Sequence, residues 1–156
     1  MAFLRDLLGR KQVAIFVDGP NSIRKGSTID VKMVRDFAAK YGDITLARVY
    51  LDQHASEKLI EAMVNQGFKV EVTSGDVDVT LAVDVADTVA KDKADIIFLV
   101  TRDIDFVPAI IKAKEYGKKV IIIGTEIGFG SALKGHADEC YIVEQSGTES
   151  HLKRVD

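Results

Sequence analysis

Val13-Ala14-Ile15-Phe16-Val17-Asp18-Gly19-Pro20-Asn21 is the stretch that decides the fold. Its first five residues are apolar without alternation, the pattern of a short strand buried on both faces. The Asp-Gly-Pro-Asn that follows is turn chemistry. A strand of this kind belongs to a parallel sheet covered by helices on each side, so helices and further apolar strands have to alternate along the chain.

They do. Apolar residues at 31, 33, 34, 37, 38 and 41 form one helical stripe, and 44–51 reads as the second strand. Ser56 is placed to cap a helix carrying Leu59, Ile60, Met63 and Val64, with Gly67 just beyond its end. A third strand over 68–72 leads to a helix over about 76–91. The fourth strand, 95–101, has Ile96-Ile97-Phe98-Leu99-Val100 at its heart. A helix over 106–116 ends at Gly117, followed by strands at 120–123 and 141–143. The pattern predicts one α/β domain of three layers, a mainly parallel sheet with helices on both faces. Residues 1–11 read as an N-terminal helical extension, 12–145 as the domain and 146–156 as a polar, frayed tail.

Composition bounds the function. A length of 156 residues fits one domain, and 47% hydrophobic content excludes disorder. Cys140 stands alone, which excludes an internal disulfide, a cysteine-built zinc cluster and a redox pair. No apolar run reaches the ~18 residues of a membrane span, and the N-terminus is too short and charged for a signal peptide. A cytoplasmic protein without a membrane partner is expected. Phe3, Leu4, Leu7 and Leu8 share one helical face, suited to packing on the domain or on a second copy, so a homodimer is compatible. Lys+Arg 21 against Asp+Glu 24 gives a net charge of −3, so nucleic acid, if bound, is held at a local site rather than along a basic face.

The acids fall where such a sheet binds ligands. Asp18 follows the first strand, Asp103 and Asp105 follow the fourth, and Asp78 stands at the entrance of the helix after the third. At the switch point of a doubly wound sheet the first and fourth strands lie side by side, bringing these four together. Carboxylates so gathered take up protons or share a cation. With no Cys or His cluster nearby, Mg²⁺ or Mn²⁺ suits the all-oxygen donor set, and such a centre activates water against a phosphodiester. Each acid also has a structural reading: Asp105 as the cap of the helix carrying Pro108, Asp18 as the brace of its own turn, Asp84 and Asp87 as a solvated helix face.

Phe16-Val17-Asp18-Gly19-Pro20-Asn21 resembles the opening motif of NYN domains, the PIN-like nuclease superfamily that includes the LabA-like proteins. Val77-Asp78-Val79-Thr80-Leu81-Ala82-Val83-Asp84 is similar to the second motif of that group. Leu99-Val100-Thr101-Arg102-Asp103-Ile104-Asp105-Phe106-Val107-Pro108 resembles the third. The resemblance implies a PIN-like, Rossmannoid fold and a Mg²⁺- or Mn²⁺-dependent ribonuclease site cleaving RNA, expected to be single-stranded, or less often DNA. Carried over, Asp18, Asp78, Asp103 and Asp105 bind metal, and Asn21 positions a carboxylate, water or substrate. Thr101 stands where the family usually has serine, and Asp84 becomes a support or outer-shell residue. Two positions depart from the pattern. Ser74-Gly75-Asp76 lacks the lysine often found before the second-motif aspartate, and Arg102 replaces the usual glycine.

Arg24, Lys25, Arg102, and Lys134 with His136 are the candidates for phosphate contact, Arg102 either as a bidentate clamp or as a plug paired to an acid. In the glycine-rich 124–135, Phe129 stacks on an unpaired base or tucks into the core; both readings stay open. The alternative to a nuclease is a non-catalytic RNA-binding or regulatory module on the same scaffold. A receiver or haloacid-type phosphatase is a distant third, because Asp18-Gly19-Pro20 lacks the second aspartate and no strand-end aspartate follows the third strand.

Overall fold

The computed structural model describes residues 9–24, 27–101, 103–125, 131–146 and 149–155. Along the chain run β1 (Gln12–Asp18), α1 (Gly19–Ser22), two short strands β2 (Ile23–Arg24) and β3 (Ser27–Thr28), α2 (Val31–Ala38), β4 (Asp43–Asp52), α3 (Glu57–Asn65), β5 (Lys69–Thr73) and α4 (Val77–Ala90). There follow β6 (Ile96–Val100), a 3-10 turn (Ile104–Phe106), α5 (Val107–Glu115), β7 (Lys119–Thr125), α6 (Ser131–His136), β8 (Glu139–Ser146) and β9 (Glu149–Val155).

Seven strands make one sheet in the order β5-β4-β1-β6-β7-β8-β9. All neighbours are parallel except β8 and β9. The chain steps from β1 outward to β4 and β5, then returns past β1 to build β6 on its other side. The crevice of such a sheet therefore opens at the carboxyl ends of β1 and β6.

The unbroken apolar runs serve both faces at once. Ala14, Phe16, Ile97, Leu99, Val120 and Ile122 point to one core, which α4 covers with Leu81, Val85 and Val89 and α5 with Ala109, Ile110 and Ala113. Val13, Ile15, Val17, Phe98, Ile121 and Ile123 point to the other, covered by Val31 and Val34 of α2 and Met63 of α3. Alternation is present but hidden, because both destinations are apolar. Capping follows the sequence: Asp30 accepts from the Lys32 and Met33 amides, and Ser56 from the Leu59 amide. Gly67 and Gly117 follow α3 and α5 at φ +87° and +73°.

The segment expected as a frayed tail is different: residues 149–155 form β9, antiparallel to β8. The edge of β8 offers a row of unsatisfied amides and carbonyls, which β9 pairs, and Leu152 and Val155 reach the two cores. As an edge strand with most side chains in water, β9 is polar and shows no apolar run. Of residues 1–11, expected to be helical, 1–8 lie outside the described residues and 9–11 are not helical. No helix among the described residues is long and apolar enough to cross a membrane.

At the amino ends of β7 and β8, Glu139 ties the sheet to Tyr41, in the segment between α2 and β4. Its Oε1 accepts from the hydroxyls of Tyr41 and Tyr141, each at 2.7 Å, and Lys119 Nζ lies 2.5 Å from Oε2. Burial alone raises its pKa, but the bonds from Lys119, Tyr141 and Tyr41 outweigh that and hold it at about 2. A depressed carboxylate stabilises the fold above its unfolded value of 4.5, and this contribution is lost as pH falls through 2. Glu139→Gln is expected to cost about 1–3 kcal/mol at pH 7. Urea unfolding of the two proteins should converge as pH is lowered through this window.

Candidate metal centre at the carboxyl ends of β1 and β6

β1 delivers Asp18 to the end of a strand that is buried from Val13 onward; the Asp18 side chain is itself fully buried. The chain then turns at once. A Cβ on Gly19 would lie 2.4 Å from the Tyr50 carbonyl oxygen, so only glycine allows α1 to pass that close to β4. Asp18 occupies the N-cap position of α1 yet makes no side-chain cap bond there. Its Oδ2 accepts instead from the Thr101 hydroxyl at 2.9 Å, across the β1–β6 pair.

Thr101 is also fully buried and follows β6 directly. While its hydroxyl donates to Asp18, the same oxygen accepts from the Asp103 amide at 3.1 Å. One threonine thus fixes a buried carboxylate on one strand and the loop bearing a second on the next. Ser22 adds a brace, its hydroxyl donating to the Val100 carbonyl at 3.1 Å. Asp103 in turn organises the 3-10 turn: its Oδ1 accepts from the Asp105 amide at 2.9 Å. The helix carrying Pro108 has Phe106 at its N-cap and no side-chain cap bond, so the capping role that the sequence offered to Asp105 is not taken by it.

Asp78 arrives from the other side of the crevice, in the first turn of α4. Asp76 caps this helix by accepting from the Asp78 amide at 2.9 Å, which leaves the Asp78 side chain for the pocket. One carboxylate oxygen from each of Asp18, Asp78 and Asp103 lies within 4.8 Å of the other two. Burial, then the charges of Asp103 and Asp18, push the Asp78 carboxyl up to about 7. Three acids this close do not all ionise without a proton or a cation between them.

The remaining candidates divide. Asp105 is exposed and stands outside the three-acid group. Asp84, six residues along α4 from Asp78, accepts from the hydroxyl of buried Tyr50 at 2.6 Å and lies 3.4 Å from Arg48. Tyr50 is the cross-strand partner of Asp18, so this network ties α4 to β4 beside the centre. Neither Tyr50 nor Arg48 stood out in the sequence, since a tyrosine and an arginine within a strand carry no motif. Lys134 sits at the opposite end of the sheet, lining a cavity of about 210 Å³ with Glu139, Cys140 and Arg154 at the start of β8. The backbones of Asn21 and Arg24 lie in α1 and β2. Their side chains, and all of Lys25, Arg102 and Phe129, lie outside the described residues. The glycine-rich 124–135 is not loop throughout: Ser131–His136 is helical, and Leu133 is fully buried.

The donor set fits a hard divalent cation. All three ligands are carboxylate oxygens, and their 4.8 Å spread matches the roughly 4–5 Å that separates oxygens on opposite sides of one such ion. Cys140 is buried elsewhere, with its thiol pushed up to about 11 by burial, so no soft ligand competes.

Asp78 sets a sign that can be measured. Because its native pKa lies above the ordinary 3.8, its proton stabilises the metal-free fold fully below that value. The contribution is lost as pH rises through about 7. Asp78→Asn removes this loss, so in EDTA at pH 8 the variant is expected to unfold at higher urea than the wild type. Added Mn²⁺ should stabilise the wild type more than the variant, measured by the urea midpoint with and without the ion.

Comparison with known proteins supports this geometry with a family. The NYN domain model matches residues 12–144. The chain is 50% identical over 146 residues to the uncharacterized protein MJ0482 of Methanocaldococcus jannaschii, covering 94% of this chain and 60% of that protein's length. A crystal structure of a protein of unknown function from Vibrio parahaemolyticus, VPA0982, superposes with a TM-score of 0.77 at 22% identity. That alignment covers 86% of this chain and 94% of the other, a likeness of fold. With Asp18, Asp78 and Asp103 converging at the switch point of a PIN-like sheet, the chain belongs to the NYN-domain family, a nuclease-type superfamily.

Proposed function

We propose that this protein is a metal-dependent ribonuclease that hydrolyses phosphodiester bonds of single-stranded RNA with Mg²⁺ or Mn²⁺. The observation that carries the reading is the three-carboxylate cluster at the ends of β1 and β6 and the start of α4. Asp18, Asp78 and Asp103 hold the cation. When bound, the ion supplies a Lewis acid for the scissile phosphoryl group and lowers the pKa of a coordinated water.

The protein's part is preorganisation. Thr101 holds Asp18 and the Asp103 loop in fixed relation through one hydroxyl, so both carboxylates face the crevice before an ion arrives. Asp84 and Tyr50 set the height of α4 and with it Asp78. Asp105, exposed two residues beyond Asp103, is assigned to orienting the attacking water. Asn21 and Arg102 flank the acids in sequence and are assigned to substrate contact, together with Arg24.

A second reading, an RNA-binding or regulatory module without turnover, draws on one feature of the chain. Ser74-Gly75-Asp76 provides no lysine ahead of Asp78, so a phosphate contact common in the family is missing.

The two separate in one assay, cleavage of labelled single-stranded RNA with Mn²⁺, Mg²⁺ or EDTA. The nuclease cuts with either ion and stops in EDTA. Asp103→Ala is expected to lower the rate at least about 10³-fold while the circular dichroism spectrum is kept. Thr101→Val, which keeps the volume but removes the hydroxyl, is expected to weaken Mn²⁺ binding about 10–100-fold. RNA that binds and is never cut by the wild type overturns the nuclease in favour of the module.

A further inference from the structure

A cavity of about 350 Å³ lies between α1, the end of β4 and the start of α3. This is at the lower end of the roughly 300–1,000 Å³ typical of small-ligand sites. Gly19, the residue next to Asp18, lines it; so does Leu51, the neighbour of Tyr50, which pairs with Asp18 across the β1–β4 ladder. Cavity and acid cluster therefore share the carboxyl edge of the sheet but lie toward opposite faces. Leu51, Ile23 and Leu59 belong to the core under α2 and α3, whereas Tyr50 and Phe16 belong to the core under α4 and α5.

The chemistry of the cavity is uneven. Pro20, Ile23, Leu51 and Leu59 give it apolar walls, and Asp52, His54 and Ser56 are the polar residues of its lining. Asp52 Oδ1 accepts from the His54 amide at 2.9 Å. No lysine or arginine among the described residues pairs with Asp52, and the exposed His54 leaves its ring available for stacking. Apolar walls and a single carboxylate in the lining suit a flat ligand that carries N–H donors along one edge. Among the four RNA bases that is guanine, whose N1–H and N2–H point the same way. Adenine and cytosine place one amino donor beside an acceptor, and uracil has a single N3–H between two carbonyls.

We propose that this cavity receives a guanine base of the nucleotide next to the scissile phosphate. The RNA strand crosses the carboxyl edge of the sheet from the acid cluster to the α3 face. Asp52 accepts from N1–H and N2–H, and His54 stacks on the exposed face of the base. The assignment to a nucleotide beside the cut rests on the nuclease reading; the base preference of the cavity does not.

Two measurements keep these apart. The full chain in EDTA is titrated with GMP, AMP, CMP and UMP at millimolar concentrations and followed by amide chemical shifts. GMP is expected to shift the Ala55 and Leu59 amides and to bind at least about fivefold more tightly than the other three. Asp52→Asn should remove about tenfold of the GMP affinity and leave AMP unchanged. In Mn²⁺, RNAs that differ only in one guanosine should be cut beside it, a preference lost in Asp52→Asn. Equal shifts for the four nucleotides, or GMP shifts away from α1 and α3, overturn the guanine site even if RNA is cut. GMP bound at these amides without cleavage of any RNA supports the site and removes the nuclease.

Discussion

Strand β1 is hydrogen-bonded on both edges and packed on both faces, and it ends in a buried carboxylate. That combination is the constraint on which the rest of the molecule depends. A strand so enclosed has nowhere to place a charge except at its tip. The charge at the tip of β1, Asp18, is fully buried and accepts from the hydroxyl of Thr101, the residue that follows β6. Bringing Asp103 and Asp78 alongside it opposes electrostatics rather than obeying it, and the opposition shows in the raised pKa of Asp78. The surroundings that make this tolerable are structural: a threonine that donates one way and accepts the other, an aspartate cap that turns α4 toward the pocket, and a glycine that lets α1 pass under a carbonyl.

The two ends of the sheet have opposite electrostatic characters. At the carboxyl end, acids meet acids, and the arrangement is stable only with a shared proton or a cation. At the amino end, acids meet bases and hydroxyls. Glu139 is held by Lys119, Tyr41 and Tyr141, and Asp138 accepts from Lys114 and from the Val120 amide, so both stay ionised well below the usual range. The same residue type is therefore structural at one end and strained at the other. Strain of this sort, surrounded by neighbours that fix it in place, is the mark of a binding site rather than of a fold-holding network.

The α4 helix joins these themes. It is apolar on nearly every side, with Leu81, Val85 and Val89 in the core and Val79 and Val83 exposed. Periodicity alone says little about which way such a helix faces. Polar contacts settle it: Asp76 caps the start, Asp84 reaches Tyr50 and Arg48 on β4, and Thr88 bonds back to the Asp84 carbonyl. With the helix locked at both points, Asp78 has little freedom of position, which is what a metal ligand requires.

Much of this was legible in the order of residues. The alternation of unbroken apolar runs with helical stripes dictates a parallel sheet, because only a strand buried on both faces dispenses with polar alternation. The caps at Asp30 and Ser56 and the stops at Gly67 and Gly117 are local chemistry and could be read locally. So could the three acidic motifs, whose family resemblance depends on spacing along the chain. Other features depend on distance across the fold and leave no local trace. Asp105 reads like its neighbour Asp103, yet only Asp103, just ahead of the 3-10 turn, joins Asp18 and Asp78, while Asp105 lies within that turn. Lys134 reads as a phosphate contact and lies at the far end of the sheet, because the helix bearing it runs back from the carboxyl edge. The polar segment after β8 becomes a strand through an edge that no sequence window contains. Sequence by itself determined the layers, the helix ends and the identity of the acids, all short-range consequences of burial and backbone chemistry. Tertiary structure alone decided which acids meet and which polar partners hold them, because those are properties of strand order and not of neighbours along the chain.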